Sequence, residues 1–229
     1  MTNEGAHDDA KYFEHQARFS SIVEHFSTRA RLKMLRSMLE IAQPDANTSV
    51  LDVGVTSNRR SDSNFFERFY PHPENITALG LDDASFLEQE FPGLKFVRGD
   101  ALAMPFADRS FDLATSWATI EHVGSRDRQK QFVAEVCRVS KRALITTPNR
   151  WFPLEFHTVM PLIHWLKPQT FRGILRTLGM NFYATEETLN LLGESEFMQL
   201  LPATVRCRTL HNRLFGLVSN LVFFLEHCD

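Results

Sequence analysis

The sequence predicts an α/β fold built on a doubly wound, mostly parallel sheet, and three observations predict it. Short apolar runs recur along the chain, as in Val50-Leu51-Asp52-Val53 and Ile76-Thr77-Ala78-Leu79. The first three runs end on glycine, a carboxylate or both, at Gly54, Gly80-Leu81-Asp82 and Gly99-Asp100. Segments with helical spacing stand between the runs, so strand and helix alternate, which is the pattern of parallel strands joined by crossover helices. In such sheets ligands bind beyond the carboxyl ends of the strands, where the strand order reverses. The acids Asp52, Asp82 and Asp100 all fall at that edge.

Taken in order, the N-terminal stretch reads as helical. Leu32, Leu35, Leu39 and Ala42 recur at helical spacing, and Tyr12, Phe13, Phe19 and Phe26 lie among charges before them. Residues 1–48 are therefore expected to pack on the sheet, with a lid over the ligand edge as the minority reading. Residues 49–229 form the body of a single domain. After Gly54 the chain is polar through Val55-Thr56-Ser57-Asn58-Arg59-Arg60-Ser61-Asp62-Ser63, which predicts a long loop. Asn64 with Glu67 predicts a capping box for a helix over 65–69, closed by Pro71 and Pro73. Ser85 with Glu88 predicts another, for a helix ending near Pro92-Gly93. Strands are expected at 94–97, 111–116 and 143–147, with a helical face at Phe132, Val133, Val136 and Cys137. A helix is expected over 185–192, and two closing strands over 205–210 and 217–225.

Composition sets the outer limits. At 229 residues, 43% hydrophobic and 23% charged, the chain is long enough for one domain with an ordinary core. A net charge of −3 suggests no nucleic-acid partner and no attraction to anionic lipid. The three cysteines, Cys137, Cys207 and Cys228, match no zinc or redox spacing; they read as reduced thiols of a cytoplasmic protein, and no metal site is assigned. The polar start is no signal peptide, and the apolar run 214–225 is too short to span a bilayer, so stable membrane insertion is not expected. A homodimer is compatible with these features.

The motifs together resemble a family. Val50-Leu51-Asp52-Val53-Gly54, Leu81-Asp82, Gly99-Asp100-Ala101 with Pro105-Phe106, Ser110-Phe111-Asp112-Leu113 and Glu121-His122-Val123 look like the class I S-adenosylmethionine-dependent methyltransferases, nearest the branch acting mostly on small molecules. The resemblance implies a Rossmann-like, seven-stranded sheet with an antiparallel last strand and helices on both faces. It implies S-adenosyl-L-methionine as cofactor and a small-molecule acceptor, methylated on oxygen or nitrogen. Asp52, Gly54 and Thr56 would hold the methionine end, Asp82 the ribose hydroxyls, and Asp100 with the backbone of Ala101 the adenine; Trp117 would lie nearby. The chemistry is coherent, because an amine, a diol and an adenine amine are donors and carboxylates accept from donors.

The chain departs from the family where glycines are usual, at Thr56 and Asn58. Hydroxyls of Thr56 and Ser57 are expected to replace lost backbone contacts and Asn58 to tolerate positive φ, while Arg59 or Arg60 either pairs with the cofactor carboxylate or only solvates the loop. Beyond the fifth strand, a segment around 149–185 rich in aromatics and proline leaves the ligand edge and is read as a cap, with 151–165 walling the acceptor pocket. His157 is the first candidate base and His122 the second, needed if the acceptor is protonated; His164 is read as a hydrogen-bonded core histidine. The alternatives are a catalytically degenerate scaffold that binds without turnover and, second, a nucleotide-dependent oxidoreductase, whose three-glycine phosphate turn is absent.

Overall fold

The computed structural model describes residues 20–59 and 63–228, with side chains from Thr28 onward. The expectations placed on Tyr12, Phe13, Phe19, the Phe26 ring and Arg60 lie outside the described residues. One sheet carries seven strands: β1 (Val50–Val53), β2 (Ile76–Gly80), β3 (Lys95–Arg98), β4 (Phe111–Trp117), β5 (Ser140–Pro148), β8 (Val205–Leu214) and β9 (Leu217–His227). Their order is β3-β2-β1-β4-β5-β9-β8. The first five are mutually parallel and β9 is antiparallel to both its neighbours. The chain winds outward from β1 to β3, then returns to the other side of β1 with β4. That reversal opens the carboxyl edge between β1 and β4, the usual ligand crevice of such sheets. A separate ribbon, β6 (Leu154–Glu155) with β7 (Met160–Pro161), belongs to the insertion.

The apolar runs are continuous because the sheet is buried on both faces. Neighbouring residues of a strand point to opposite faces, and each face has its own core. Val50, Ile76, Leu113, Leu144 and Phe224 face α1 (Ser20–Ala42), α2 (Phe65–Phe69) and α3 (Leu87–Glu90) through Met38, Leu35, Phe66 and Leu87. Leu51, Ala114, Ile145 and Phe223 face α4 (Arg126–Val139) and α6 (Glu194–Met198) through Phe132, Val133, Val136 and Phe197. The predicted face of α4 is the buried one, and Ser125 caps it by accepting from Arg128 N at 3.4 Å. On α1 the stripe is rotated: Met34, Leu35, Met38 and Ala42 are buried, while Leu32 and Leu39 are half-buried.

Three local expectations are corrected. Asn64 does not cap α2; it sits at φ 50° and its side chain pairs with the loop instead. Glu88 does not close a capping box, because its Oε1 accepts from Phe96 N and so ties α3 to β3. Residues 185–192 are not helical. Asn190 N donates to the Glu121 carbonyl, the Asn190 amide donates to Gly124 O, and Leu192 bridges Asn149, so the segment is a strap bound to other backbone. The helix comes later, at α6. The insertion adds α5 (Pro168–Thr177) and a small core of Phe171, Leu175, Tyr183, Leu189 and Leu191. Among the described residues no helix is long and apolar enough to cross a membrane.

Phe197 and Phe223 stack at 3.6 Å, both fully buried, and join α6 to β9. Phe197→Ala is expected to cost about 3–5 kcal/mol, the range for truncating a buried phenylalanine. Denaturant unfolding followed by circular dichroism checks it, and a cost below about 1 kcal/mol, far under that range, would show that α6 is not tied to the core this way.

Candidate active site

At the end of β1 the chain turns on Gly54, at φ 101°. A Cβ there would stand 2.3 Å from Thr119 Oγ1, so only glycine lets the loop after β4 approach this closely. Gly54 N and Val55 N both donate to Leu79 O, and Gly99 N donates to Gly80 O. These bonds draw the exits of β1, β2 and β3 together. Gly80 is itself required, since a Cβ there would meet Val55 O at 2.8 Å.

The loop after Gly54 is held by its own polar groups. Thr56 N donates to Asn64 Oδ1 at 3.0 Å, Asn64 Nδ2 donates to Thr56 O at 2.9 Å, and Asn58 N donates to Thr56 Oγ1 at 3.1 Å. The Thr56 hydroxyl thus accepts within the loop, and positive φ falls on Asn64 rather than Asn58. The Arg59 guanidinium lies 4.4 Å from the Phe86 ring, over a crevice lined also by Asn58, Ser63, Asn64 and Phe91. This crevice separates the loop after β1 from the turn after β2.

The strand-end acids occupy different environments. Asp82 is half-buried beyond β2, and Asp83 beside it accepts from Ser85 N to shape the turn. Asp100 is exposed, with Oδ1 accepting from Leu102 N, and Ala101 is half-buried. Asp52 is only 5% exposed and sits behind the edge, where Thr115 Oγ1, its register partner on β4, donates to it at 2.6 Å. Glu67 of α2, 1% exposed, faces the same space. Neither oxygen of Glu67 has a well-formed hydrogen bond among the described residues, yet the two carboxyls perturb each other. Burial pushes Asp52 up to about 6. Burial, then the Asp52 charge, raises Glu67 well above the usual range. Trp117 packs edge-on to Phe65 at 4.9 Å and stacks on Phe66 at 5.6 Å, and its Nε1 is buried without a hydrogen-bond partner among the described residues.

On the other side of the Gly54–Thr119 contact lies a second cluster. Ala118, at φ 55°, turns the chain from β4 into the short turn Ile120–His122. Glu121 is fully buried; its Oε2 accepts from Thr147 Oγ1 at 3.0 Å, while its Oε1 has no hydrogen-bond partner among the described residues. Burial pushes Glu121 up to about 7. His122 Nδ1 meets Thr188 O at 2.6 Å, and its ring lies 4.8 Å from that of His157. Burial, then the neighbouring His157, pushes His122 down to about 3. Glu155 Oε1 accepts from both the backbone N and Nδ1 of His157, and Oε2 from the backbone N and hydroxyl of Thr158. Burial alone would lower His157 and raise Glu155; their mutual charge reverses both, leaving His157 raised and Glu155 at about 2.

The cap expectation is corrected in part. Trp151 and Trp165 are 54% and 41% exposed, so neither walls an enclosed pocket. His157, 6% exposed, faces His122 and Tyr183 within the protein. His164 is buried with Nε2 on Phe152 O at 2.8 Å, as the core reading requires. The structure places Gly54, Thr56, Asp82, Asp100, Ala101 and Trp117 along the carboxyl edge of β1 to β4, sets Asp52 behind that edge within β1, against the expectation, and stands His122 against His157. Sequence reasoning missed Glu67, Thr115 and Thr119: a buried glutamate inside a short helix and two threonines give no periodic signal.

The Asp52–Glu67 pair fixes a pH dependence. Both folded-state values are raised, so protonation favours the fold; that stability is full below about pH 4 and is lost as pH rises through the folded values, for Asp52 about 6. The Asp52 shift corresponds to about 3 kcal/mol at most. Glu67→Gln removes one charge and is expected to raise the melting temperature at pH 8 but not at pH 4. Parallel melting curves at the two pH values check it; an equal gain at both would exclude a charge effect.

Comparison with known proteins supports the fold. Residues 51–143 match the family model for a methyltransferase domain. Over 86 residues the chain is 36% identical to the phthiotriol/phenolphthiotriol dimycocerosates methyltransferase of Mycobacterium tuberculosis, a match spanning 36% of this chain and 28% of that protein's length. An S-adenosylmethionine-dependent methyltransferase of Thermotoga maritima superposes with a TM-score of 0.60 at 16% identity, covering 95% of this chain and 98% of the other. The 1,6-didemethyltoxoflavin-N1-methyltransferase of Burkholderia thailandensis, solved with S-adenosylhomocysteine, gives 0.59 at 14% identity over 100% of this chain and 91% of its own. Residues 51–143 thus match a methyltransferase domain, and the fold of the chain is that of solved S-adenosylmethionine-dependent methyltransferases.

Proposed function

We propose that this protein moves a methyl group from S-adenosylmethionine to an oxygen or nitrogen of a small-molecule acceptor, by in-line displacement at the sulfonium carbon. The observation that carries the proposal is the row of Gly54, Asp82 and Asp100 along the carboxyl exits of β1, β2 and β3, beside the reversal point between β1 and β4, joined by the backbone bonds of Gly54, Val55 and Gly99. In this reading Asp82 accepts from the ribose hydroxyls, Asp100 from the adenine amine beside the backbone of Ala101, and Gly54 and Thr56 border the methionine end. The residues suit the ligand: its polar groups there are donors, and the edge offers acceptors. Trp117, with a buried Nε1 that lacks an acceptor among the described residues, borders the same edge.

When bound, the sulfonium carries its own activation, so the protein's work is to orient the two reactants and exclude water. The acceptor approaches from the insertion side, where His122 and His157 meet. The Burkholderia thailandensis relative was solved with 1,6-didemethyltoxoflavin, a small molecule, which supports the same class here, while the mycobacterial relative is named for a lipid. A second reading is a scaffold that binds without turnover. It is favoured by Thr56 and Asn58 standing where glycines are usual, in a loop closed on itself by Asn64.

S-adenosylhomocysteine at about a hundredfold over its Kd should stabilise the fold by about 2.7 kcal/mol, which is about 5–10 °C at roughly 2–4 °C per kcal/mol. Nicotinamide dinucleotide should give no shift; the reverse pattern would replace this reading with the oxidoreductase one. Asp82→Ala should weaken S-adenosylhomocysteine at least about tenfold by calorimetry, the loss of one charge-assisted bond of about 1.5–3 kcal/mol, with an unchanged circular dichroism spectrum. Equal affinity would remove Asp82 from the site.

A further inference from the structure

We infer that Glu121, His122 and His157 form a binding site for one divalent metal ion of the zinc class. Each offers a ligand atom, and the three atoms lie within 4.8 Å of one another. Three features beyond proximity argue for a cation. Glu121 Oε1 is a fully buried carboxylate oxygen with no hydrogen-bond partner among the described residues, and it stands 3.9 Å from His122 Nε2. A buried acceptor left without a donor is costly, and a cation relieves it. Next, each imidazole is fixed through Nδ1, His122 by the Thr188 carbonyl at 2.6 Å and His157 by the Glu155 carboxylate at 2.6 Å. Metal-ligating histidines are held this way, one nitrogen on a carbonyl or carboxylate and the other on the ion. Finally, Glu155 is locked by Thr158, and Glu121 by Thr147, so the supporting groups are themselves positioned.

The donor set selects the ion. Two imidazoles and one carboxylate suit zinc and its neighbours better than magnesium or calcium, which prefer all-oxygen shells. Bond lengths near 2.0–2.1 Å place tetrahedral ligands about 3.4 Å apart, so the ion would draw ligand atoms together by about 1.4 Å at most. His122, with a 20% exposed side chain, is the route of entry. Three protein ligands leave a fourth position for water or an oxygen-bearing acceptor. The cluster borders the methyl-transfer edge through Thr119, two residues before Glu121 in sequence and in contact with the Gly54 position. The site does not depend on the methyltransferase reading, because ion binding and S-adenosylhomocysteine binding are measured separately.

The test is calorimetric titration of the chelator-treated full chain with zinc chloride, with zinc-edge X-ray absorption on the loaded protein. One ion per chain, a raised melting temperature and two imidazole ligands at the edge are expected. His122→Ala, the most accessible of the three, should abolish stoichiometric binding, and Glu155→Gln should weaken it about 10–100-fold by freeing the second imidazole. No stoichiometric ion in the unaltered protein, an absorption edge without imidazoles, or full affinity in His122→Ala would overturn the inference. Should His122→Ala not fold, the absorption spectrum of the unaltered protein decides. S-adenosylhomocysteine affinity, measured on the metal-free protein, reports on the cofactor reading alone.

Discussion

Burying carboxylates is the constraint on which this sheet edge depends. Asp52, Glu67, Glu121 and Glu155 are 5%, 1%, 0% and 3% exposed. Removing an ionised carboxylate from water costs several kcal/mol unless charge or hydrogen bonds offset it. The structure answers with hydroxyls and imidazoles: Thr115 on Asp52, Thr147 on Glu121, Thr158 and His157 on Glu155. The far end of the sheet shows the contrast. Asp112, at the amino end of β4, takes Lys141 and Ser49 as partners and is held down at about 2. Asp112 and the His157-paired Glu155 are thus relaxed, while Asp52, Glu67 and Glu121 are held in tension at the carboxyl edge. The tense end is where a cationic ligand or an ion would be welcomed.

Much of the fold was legible because its signals are local and repeated. Apolar runs buried on two faces read as central strands whether or not their partners are known, and Val50–Val53, Ile76–Gly80 and Phe111–Trp117 stand where the sequence puts them. Gly54 was visible as a strand stop, and the structure adds the reason, close approach by Thr119; β2 ends at Gly80, two residues before the expected Asp82, where Val55 approaches. Capping was misread where a side chain had a stronger claim elsewhere. Asn64 closes the loop on Thr56, and Glu88 reaches β3, both contacts that helix-end patterns do not encode.

The candidate site was legible by halves. Asp82 and Asp100, beyond β2 and β3, could be placed because their distance from a strand end is a property of the sequence, whereas Asp52 lies within β1 and is buried. The Glu121–His122–His157 cluster could not, because its members come from two excursions of the chain that meet only when the strap at 185–192 is laid across them. That strap reads as helical from its leucines. What prevents the helix is backbone bonding to Glu121 O and Gly124 O, and no periodicity reports a donor's distant acceptor. Trp151 and Trp165 mislead in the opposite direction, since aromatic density predicts burial but not which face of an insertion carries it.

The two halves of the edge meet at one contact. Gly54 gives up its side chain so that Thr119 can occupy that space, and Thr119 leads directly into the turn bearing Glu121 and His122. The same Thr119 hydroxyl reaches Val53 O at 3.4 Å, at the last residue of β1. Any ligand that displaces the loop after Gly54 must therefore move against Thr119, and Thr119 cannot shift far without disturbing the turn that holds Glu121 against Thr147. The left-handed Ala118 just before it limits the adjustment further, because a non-glycine residue in that region already costs of order 1 kcal/mol or more. The loop after Gly54 and the turn bearing Glu121 and His122 thus pack against one shared side chain, Thr119.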